Sequence, residues 1–325
     1  MTSCRPYDQQ FLAAANNSRH GLVYTETVLI AHTATMAQGF PAICPFVEDT
    51  LGEEALQTLV KFGTRLIVLR STGYNHVDLV AAKKLGVTVM RVRAYFPYAV
   101  AEFALALMFT LNRQLHRAYN RVREGNFLLD GLLGFDMHGK TVGLVGTGRI
   151  GAVLARILKR LGCNLLGYDN HPSPECEALG LCYTPLEDLL RQSHIVSLHL
   201  PLSPKTYHLI NTERLAQMRP GAMLINTSRG GLIDTKALIN ALKSQHLGSV
   251  GLDVYEEEGD IYFQDHSDDI VYDDTFERLL TFPNVIVTGH QAFFTREALE
   301  TIATTTIQNL RDYCEGRSNG NEVVA

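Results

Sequence analysis

A glycine-rich segment in the middle of the chain, Gly143-Leu144-Val145-Gly146-Thr147-Gly148-Arg149-Ile150-Gly151, constrains the fold more than any other feature. The apolar run Thr141–Val145 reads as a buried strand, and Ile150–Leu161 reads as a helix with apolar residues on one face. Between them Gly146, Gly148 and Gly151 supply the G-x-G-x-x-G turn of a dinucleotide site. The first glycine allows the tight turn, the second lets a pyrophosphate approach the backbone, and the third lets helix pack on strand. A second strand, Asn164–Tyr168, ends at Asp169, about where a carboxylate meets the adenosine ribose hydroxyls. A glycine turn in an ordinary strand–helix unit is the weaker reading, because flanking strand, helix and carboxylate all agree. A nucleotide domain thus begins well into the chain, and something else must come before it.

The remaining sequence leaves room for that second region. With 325 residues the chain can build two domains with substantial cores. Its 46% hydrophobic and 19% charged residues are an ordinary globular balance, and a net charge of −5 argues against a nucleic-acid surface. No apolar run approaches the length of a membrane span, and Met1–Pro6 lacks the apolar core of a signal peptide. The six cysteines, Cys4, Cys44, Cys163, Cys176, Cys182 and Cys314, are scattered without zinc spacing. They read as reduced thiols of a cytoplasmic protein.

Before residue 93, short apolar runs alternate with helical patterns. Leu66–Leu69 and Val87–Val92 are expected strands, and Glu53–Phe62 and Val77–Leu85 expected helices, which makes a parallel α/β region with its own core. A long helix starts near Ala99 and leads into a polar stretch, Arg121–Gly134. After the glycine turn, strands are expected at Ile195–His199, Ala222–Asn226, Ser249–Asp253 and Val285–Thr288. Helices are expected at Leu186–Gln192, Glu213–Gln217, Lys236–Lys243 and Arg296–Glu315, the last able to return the chain to its first region. The acidic segment Tyr255–Phe276 fits no calcium loop and reads as a solvated surface insertion.

Three strand ends in the second half carry groups suited to chemistry. Asn226-Thr227-Ser228-Arg229-Gly230-Gly231, Gly251-Leu252-Asp253 with Glu256-Glu257-Glu258, and Gly289-His290-Gln291 each follow an apolar run. In an open parallel sheet ligands bind at that edge. An arginine, a carboxylate and a histidine delivered there suit reduction of a keto acid. The arginine holds the substrate carboxylate, the histidine supplies the proton, and the carboxylate keeps the histidine charged. Singly each has a plainer alternative: Arg229 in a surface ion pair, Glu258 in a solvated run, His290 as a structural hydrogen bonder. Together, after a dinucleotide turn, they favour catalysis.

These motifs, with His199-Leu200-Pro201-Leu202, Leu232-Ile233-Asp234, Arg70–Asp78, Ala94-Tyr95 and Ala292-Phe293, resemble the D-isomer-specific 2-hydroxyacid dehydrogenase family over nearly the whole chain. The resemblance implies an α/β fold of two parallel-sheet domains. A flavodoxin-like substrate domain would be split between the chain ends, 1–98 with 294–325, and a Rossmann-like NAD domain, 99–293, inserted in it. It implies NAD-dependent reduction of pyruvate to D-lactate, with Arg229 on the substrate carboxylate and carbonyl, His290 as acid/base and Glu258 paired with His290. Gly146, Gly148, Gly151, Arg149 and Ile150 would meet the pyrophosphate and Asp169 the ribose. Leu200, Pro201, Thr227 and Ser228 would flank the cofactor, and Asp253 would hold the nicotinamide amide. Thr72, Gly73 and Tyr74, in the loop Ser71–His76, would offer backbone N–H groups to the substrate, with Tyr95 closing its pocket.

The family often has asparagine at the position of Thr206, a further cofactor contact, and usually begins with a short apolar strand before the segment matching Ser3–Asp8. Either the native start lies upstream of Met1, or Val28–Ala31 and Leu66–Leu69 must pack in another way. The resemblance also implies a small 2-keto or 2-hydroxy acid as substrate, no metal, no nucleic-acid or membrane partner, and a homodimer or homotetramer joined near Ala99–Phe135. Tyr95, Phe293 and Phe294 suggest an aromatic, fairly small pocket; a reductase of a bulkier 2-keto acid, phenylpyruvate or hydroxypyruvate, is the alternative from the same class. An NAD-sensing binding protein of the same fold is the alternative from another class.

Overall fold

The computed structural model describes residues 1–93 and 96–324, with the side chain of Asp260 excepted. Tyr95, expected to close the substrate pocket, lies outside the described residues. The chain divides into two compact units, Met1–Phe96 with Phe294–Ala325, and Pro97–Phe293.

In the first unit, chain order runs α1 (Pro6–Asn16), β1 (Ala42–Ile43), α2 (Glu53–Lys61), β2 (Leu66–Val68), α3 (Leu79–Lys84) and β3 (Thr88–Met90). The strands form a parallel sheet in the order β1-β2-β3. Successive side chains of a strand point to opposite faces, and both faces are covered. Ile67 and Leu69 pack with Leu56, Leu59 and Ala81 on one side, whereas Leu66 and Val68 meet Leu12, Ile307 and Leu310 on the other. Fully burying such a side chain contributes roughly 1.5–3 kcal/mol. The last three contact residues belong to α1 and to the C-terminal helix Arg296–Cys314, so the two ends of the chain close one core. The helix expected from Val77 starts two residues later, because the Asp78 carboxylate accepts a hydrogen bond from Ala81 N–H at 2.9 Å and caps it.

The segment Val28–Ile30 pairs with no strand. Its Leu29 is nevertheless fully buried, held by a carboxylate instead of a ladder. Asp49 accepts hydrogen bonds from Leu29 N–H (2.5 Å), Phe46 N–H (2.6 Å), the Ser3 hydroxyl (2.7 Å) and the Thr2 hydroxyl (2.8 Å). One buried acid thereby satisfies donors from three segments that would otherwise be desolvated without partners.

The second unit contains α4 (Pro97–Asn112), α5 (Leu115–Arg123), β4 (Thr141–Val145), α6 (Arg149–Arg160), β5 (Asn164–Tyr168), α7 (Pro174–Ala178) and β6 (Cys182–Tyr183). It continues with α8 (Leu186–Gln192), β7 (Ile195–Leu198), α9 (Thr212–Gln217), β8 (Ala222–Asn226), α10 (Thr235–Lys243), β9 (Leu247–Leu252), α11 (Asp274–Leu280) and β10 (Val285–Val287). The terminal helix of the first unit is α12. All seven strands are parallel, in the order β10-β9-β8-β7-β4-β5-β6. The strand order reverses between β4 and β7, and in such sheets that reversal opens a crevice at the C-terminal strand ends. Two apolar clusters cover the sheet, one joining α4 and α6 to Val142, Leu144 and Ile225, the other joining α8, α9 and α10 to Val145, Val196 and Leu224.

Two expectations need correcting. The polar stretch after α4 begins as a helix, α5, none of whose residues is buried, and continues into an arm with Phe127, Leu129 and Leu133 exposed. The acidic segment Tyr255–Phe276 is not merely solvated: Tyr255, Tyr262 and Phe276 are buried and pack on the sheet's core, and Asp273 accepts from the Tyr255 hydroxyl at 2.7 Å, while Asp265, Asp268, Asp269 and Asp274 are exposed. Charge density concealed an apolar periodicity that only packing reveals.

Candidate active site

The glycine turn joins β4 to α6 as the sequence requires. Gly146 has φ +101°, and a Cβ there would lie 2.7 Å from the backbone of His199. A Cβ on Gly151 would lie 2.1 Å from the Gly146 carbonyl oxygen, so the helix could not approach the strand. Gly148, the N-cap of α6, has no atom within 4 Å of its missing Cβ, and no side chain caps the helix. No described residue accepts a hydrogen bond from the first-turn N–H groups of Arg149, Ile150 and Gly151, the arrangement that receives a phosphate. Arg149 is exposed there and Ile150 half-buried.

Around the turn, Asp169 accepts hydrogen bonds from Thr147 N–H at 2.7 Å and His171 N–H at 2.9 Å. Leu200 is half-buried and Pro201 exposed. The Thr206 hydroxyl is turned onto its own loop, donating to Pro201 O at 2.7 Å and accepting from Ser203 N–H at 2.8 Å. It stiffens the segment instead of reaching outward. Thr227 differs: its hydroxyl is buried with no partner among the described residues. A buried orphan hydroxyl costs about 1–3 kcal/mol unless a ligand satisfies it. That orphan and the open helix terminus fit a bound dinucleotide.

His199 lies beneath the turn, its N–H on Val145 O at 2.8 Å and its ring Nε2 2.9 Å from the Ser197 hydroxyl. Burial pushes its pKa down from 6.5 to about 4. As pH falls through that window the unfolded chain takes up a proton that the folded chain refuses, so stability declines. Thermal melts between pH 7 and pH 4 should show a steeper loss for the parent than for His199→Gln. Equal slopes would remove His199 as the cause.

The three expected reactive residues come from the ends of β8, β9 and β10, which are consecutive neighbours in the sheet. The Asn226 amide ties the first loop, donating to Arg229 O at 2.9 Å and accepting from Ser228 N–H at 3.0 Å. Arg229 is half-buried, and its Nη1 donates to Ser228 O at 2.7 Å. His290 Nδ1 and Glu258 Oε1 are 2.9 Å apart, and the other Glu258 oxygen accepts from Tyr255 N–H at 3.0 Å. His290 itself holds a left-handed backbone, φ +53°. That conformation is uncommon outside glycine, and the surroundings must hold it.

Asp253 does so. It is fully buried, and its two carboxylate oxygens accept from the Thr288 hydroxyl (2.6 Å), Gln291 N–H (2.9 Å) and Ala292 N–H (2.8 Å). Burial raises its pKa, partly offset by these bonds. The expected partner of a nicotinamide amide is thus already committed to the His290 loop. In the first unit, Thr72, Gly73 and Tyr74 sit in a loop braced by Ser71 Oγ on Gly73 O (2.7 Å) and by Arg91, which donates to Thr72 O (2.9 Å) and lies over the Tyr74 ring. No described residue accepts a hydrogen bond from the backbone N–H groups of these three.

The glutamate run is where sequence reasoning was coarsest. Glu257 is exposed, but Glu256 turns inward on His208 and Thr235 as Glu258 turns inward on His290. The alternation in–out–in was present in the run, but nothing adjacent in the sequence identified the partners.

Known proteins resemble this chain in sequence and in fold. The family model described as "D-isomer specific 2-hydroxyacid dehydrogenase, NAD binding domain" matches residues 105–292. The chain is 49% identical to the D-lactate dehydrogenase of Escherichia coli over 323 residues, covering 99% of this chain and 98% of that one. A solved structure of the pyruvate reductase of Chlamydomonas reinhardtii superposes with a TM-score of 0.93 at 47% identity, covering 98% of this chain and 97% of the other. The D-lactate dehydrogenase of Aquifex aeolicus, complexed with NAD and lactic acid, superposes with a TM-score of 0.90 at 34% identity, covering 100% and 98%.

Proposed function

Because the chain belongs to the D-isomer specific 2-hydroxyacid dehydrogenase family and carries its NAD-binding domain, we propose that it catalyses the reversible reduction of pyruvate to D-lactate. The observation that carries this reading is the 2.9 Å pair of Glu258, after β9, and His290, after β10, on the strands next in order to β8, which bears Arg229. NADH held at the glycine turn would supply a hydride to the substrate's carbonyl carbon. His290, its Nδ1 taken by Glu258, presents Nε2 to the carbonyl oxygen and donates the proton. Arg229 binds the substrate carboxylate with its planar fork and stabilises the charge that grows on oxygen in the transition state. In the first unit, Thr72, Gly73 and Tyr74 would offer backbone N–H groups to a substrate carboxylate. The relatives named D-lactate dehydrogenase and pyruvate reductase support pyruvate as the keto acid.

On the cofactor side, Gly146, Gly148, Arg149, Ile150 and Gly151 hold the pyrophosphate, Thr227 and Ser228 line the site, and Asp169 receives the ribose hydroxyls. Leu200, Pro201 and, through them, Thr206 form its flank, while Asp253 acts by holding the His290 loop. The first unit serves as the substrate domain. The exposed Phe127, Leu129 and Leu133 of the arm after α5 support self-association of the chain.

Following NADH absorbance with pyruvate, then phenylpyruvate and hydroxypyruvate, tests the assignment. Pyruvate should give the highest kcat/KM; no oxidation with any keto acid would defeat the enzymatic reading. Asp169 sets cofactor choice, since its carboxylate repels a 2′-phosphate. The parent should use NADH at least about 100-fold better than NADPH, and Asp169→Ser should narrow that ratio about tenfold. Equal kcat/KM for both cofactors in the parent would refute the role.

A further inference from the structure

Glu256 reaches two segments that lie far from each other and from it in the sequence, Tyr207–His208 and Thr235. Its Oε1 pairs with His208 Nε2 and accepts from the Tyr207 hydroxyl at 3.2 Å. Its Oε2 accepts from the Thr235 hydroxyl at 2.9 Å and from Thr235 N–H at 3.3 Å. The Tyr207 ring stacks on His208 with centroids 3.9 Å apart, covering one face of the imidazole. Burial would raise the Glu256 pKa, but the bonds from His208 and Thr235 outweigh it and hold the carboxyl below its ordinary range. A solvated surface glutamate would have none of these partners.

The bonds converge on a point of close backbone approach. A Cβ on Gly230 would lie 2.0 Å from the Tyr255 carbonyl and 2.4 Å from Glu256 N, so these two loops touch through their main chains. Tyr255 N–H in turn holds one oxygen of Glu258, whose other oxygen meets His290. The path from His208 and Thr235 through Glu256 and Tyr255 to Glu258 is unbroken.

We propose that Glu256, with His208 and Thr235 as its anchors, is a positioning residue: it clamps the Tyr255–Glu256 turn and thereby holds Glu258 on His290. It touches none of the reacting atoms. The proposal rests on the roles given above to Glu258 and His290. Loss of the clamp lets Glu258 leave Nδ1, so proton donation suffers, while the Asn226 amide still ties the Arg229 loop and Arg229 continues to bind substrate.

The test measures kcat per NADH-binding site, with KM for pyruvate, in the full-length chain. Glu256→Ala should lower kcat about 20-fold and leave KM within about threefold. Glu256→Gln keeps an acceptor for Thr235 and a hydrogen-bonding group opposite His208, so kcat should return to within about threefold of the parent. A merely structural residue would lower Tm and the number of NADH-binding sites but leave kcat per site unchanged, and that outcome overturns the proposal. So does a Gln variant as damaged as the Ala variant. Should Glu256→Ala not fold, Thr235→Val removes one anchor; a loss of about threefold in kcat supports the clamp and an unchanged kcat overturns it. A parent inactive with every 2-keto acid overturns the functional reading and the clamp together, whereas an active parent with an unaffected alanine variant overturns the clamp alone.

Discussion

His290→Ala is expected to lower kcat for pyruvate reduction roughly 1,000-fold while the Kd for NADH stays within about twofold. A positioned general acid contributes about 10²–10⁴ in rate, and a factor of about 1,000 corresponds to about 4 kcal/mol of transition-state stabilisation. The histidine ring meets Glu258 through Nδ1, whereas the glycine turn that receives the cofactor lies at the end of β4, four strands away from β10 in the sheet. Losing the ring therefore removes the proton donor and spares the dinucleotide site. Its backbone is left-handed at φ +53°, a conformation that histidine and asparagine adopt more readily than alanine. His290→Asn separates the two effects, because asparagine tolerates that backbone and has no acidic proton to give. Both variants should be nearly inactive by NADH absorbance and should still quench on NADH titration. Turnover above about a tenth of the parent's in His290→Asn would exclude His290 as the donor.

Arg229→Lys comes next in size, with kcat/KM for pyruvate reduced by about 10²–10³. Lysine keeps the positive charge but loses the planar fork that binds a carboxylate through two parallel hydrogen bonds. Each charge-assisted bond contributes about 1.5–3 kcal/mol, so losing one or two accounts for the range. Geometry favours this fragility. Gly230 is pressed against the Tyr255 carbonyl and the Asn226 amide closes the loop on both sides, so the backbone cannot move to let a shorter fork reach. The loss should fall on both kcat and KM, since the residue is assigned both ground-state binding and stabilisation of the developing oxyanion. An unchanged kcat/KM in Arg229→Lys would show that charge alone suffices and would remove the bidentate role.

The parts of this protein that were legible in the sequence share one property: their physics is local. The turn Gly146–Gly151 declares itself because a tight turn, a close approach and a helix start all fall within six residues. Strands β4, β5, β7 and β8 were legible because buried parallel strands are continuous apolar runs. Arg229, Glu258 and His290 could be named because each stands just beyond such a run. The short α1 escaped notice because its stability comes from packing on α12, nearly three hundred residues later. Leu29 likewise depends on a carboxylate twenty residues away.

What the sequence determined by itself was the nucleotide turn, most of the strands and helices after it (not the short α7, β6 and α11), and the residue types offered at the strand ends. What only the tertiary structure decided was the partnership among those residues. It committed Asp253 to the loop of His290, turned the Thr206 hydroxyl inward, left the Thr227 hydroxyl without a partner, and split three consecutive glutamates between solvent, His208 and His290. The reason is physical. A side chain's chemistry is written in its residue type, but its hydrogen-bond partner is set by which parallel strands become neighbours, and β8, β9 and β10 are joined only when the sheet has formed.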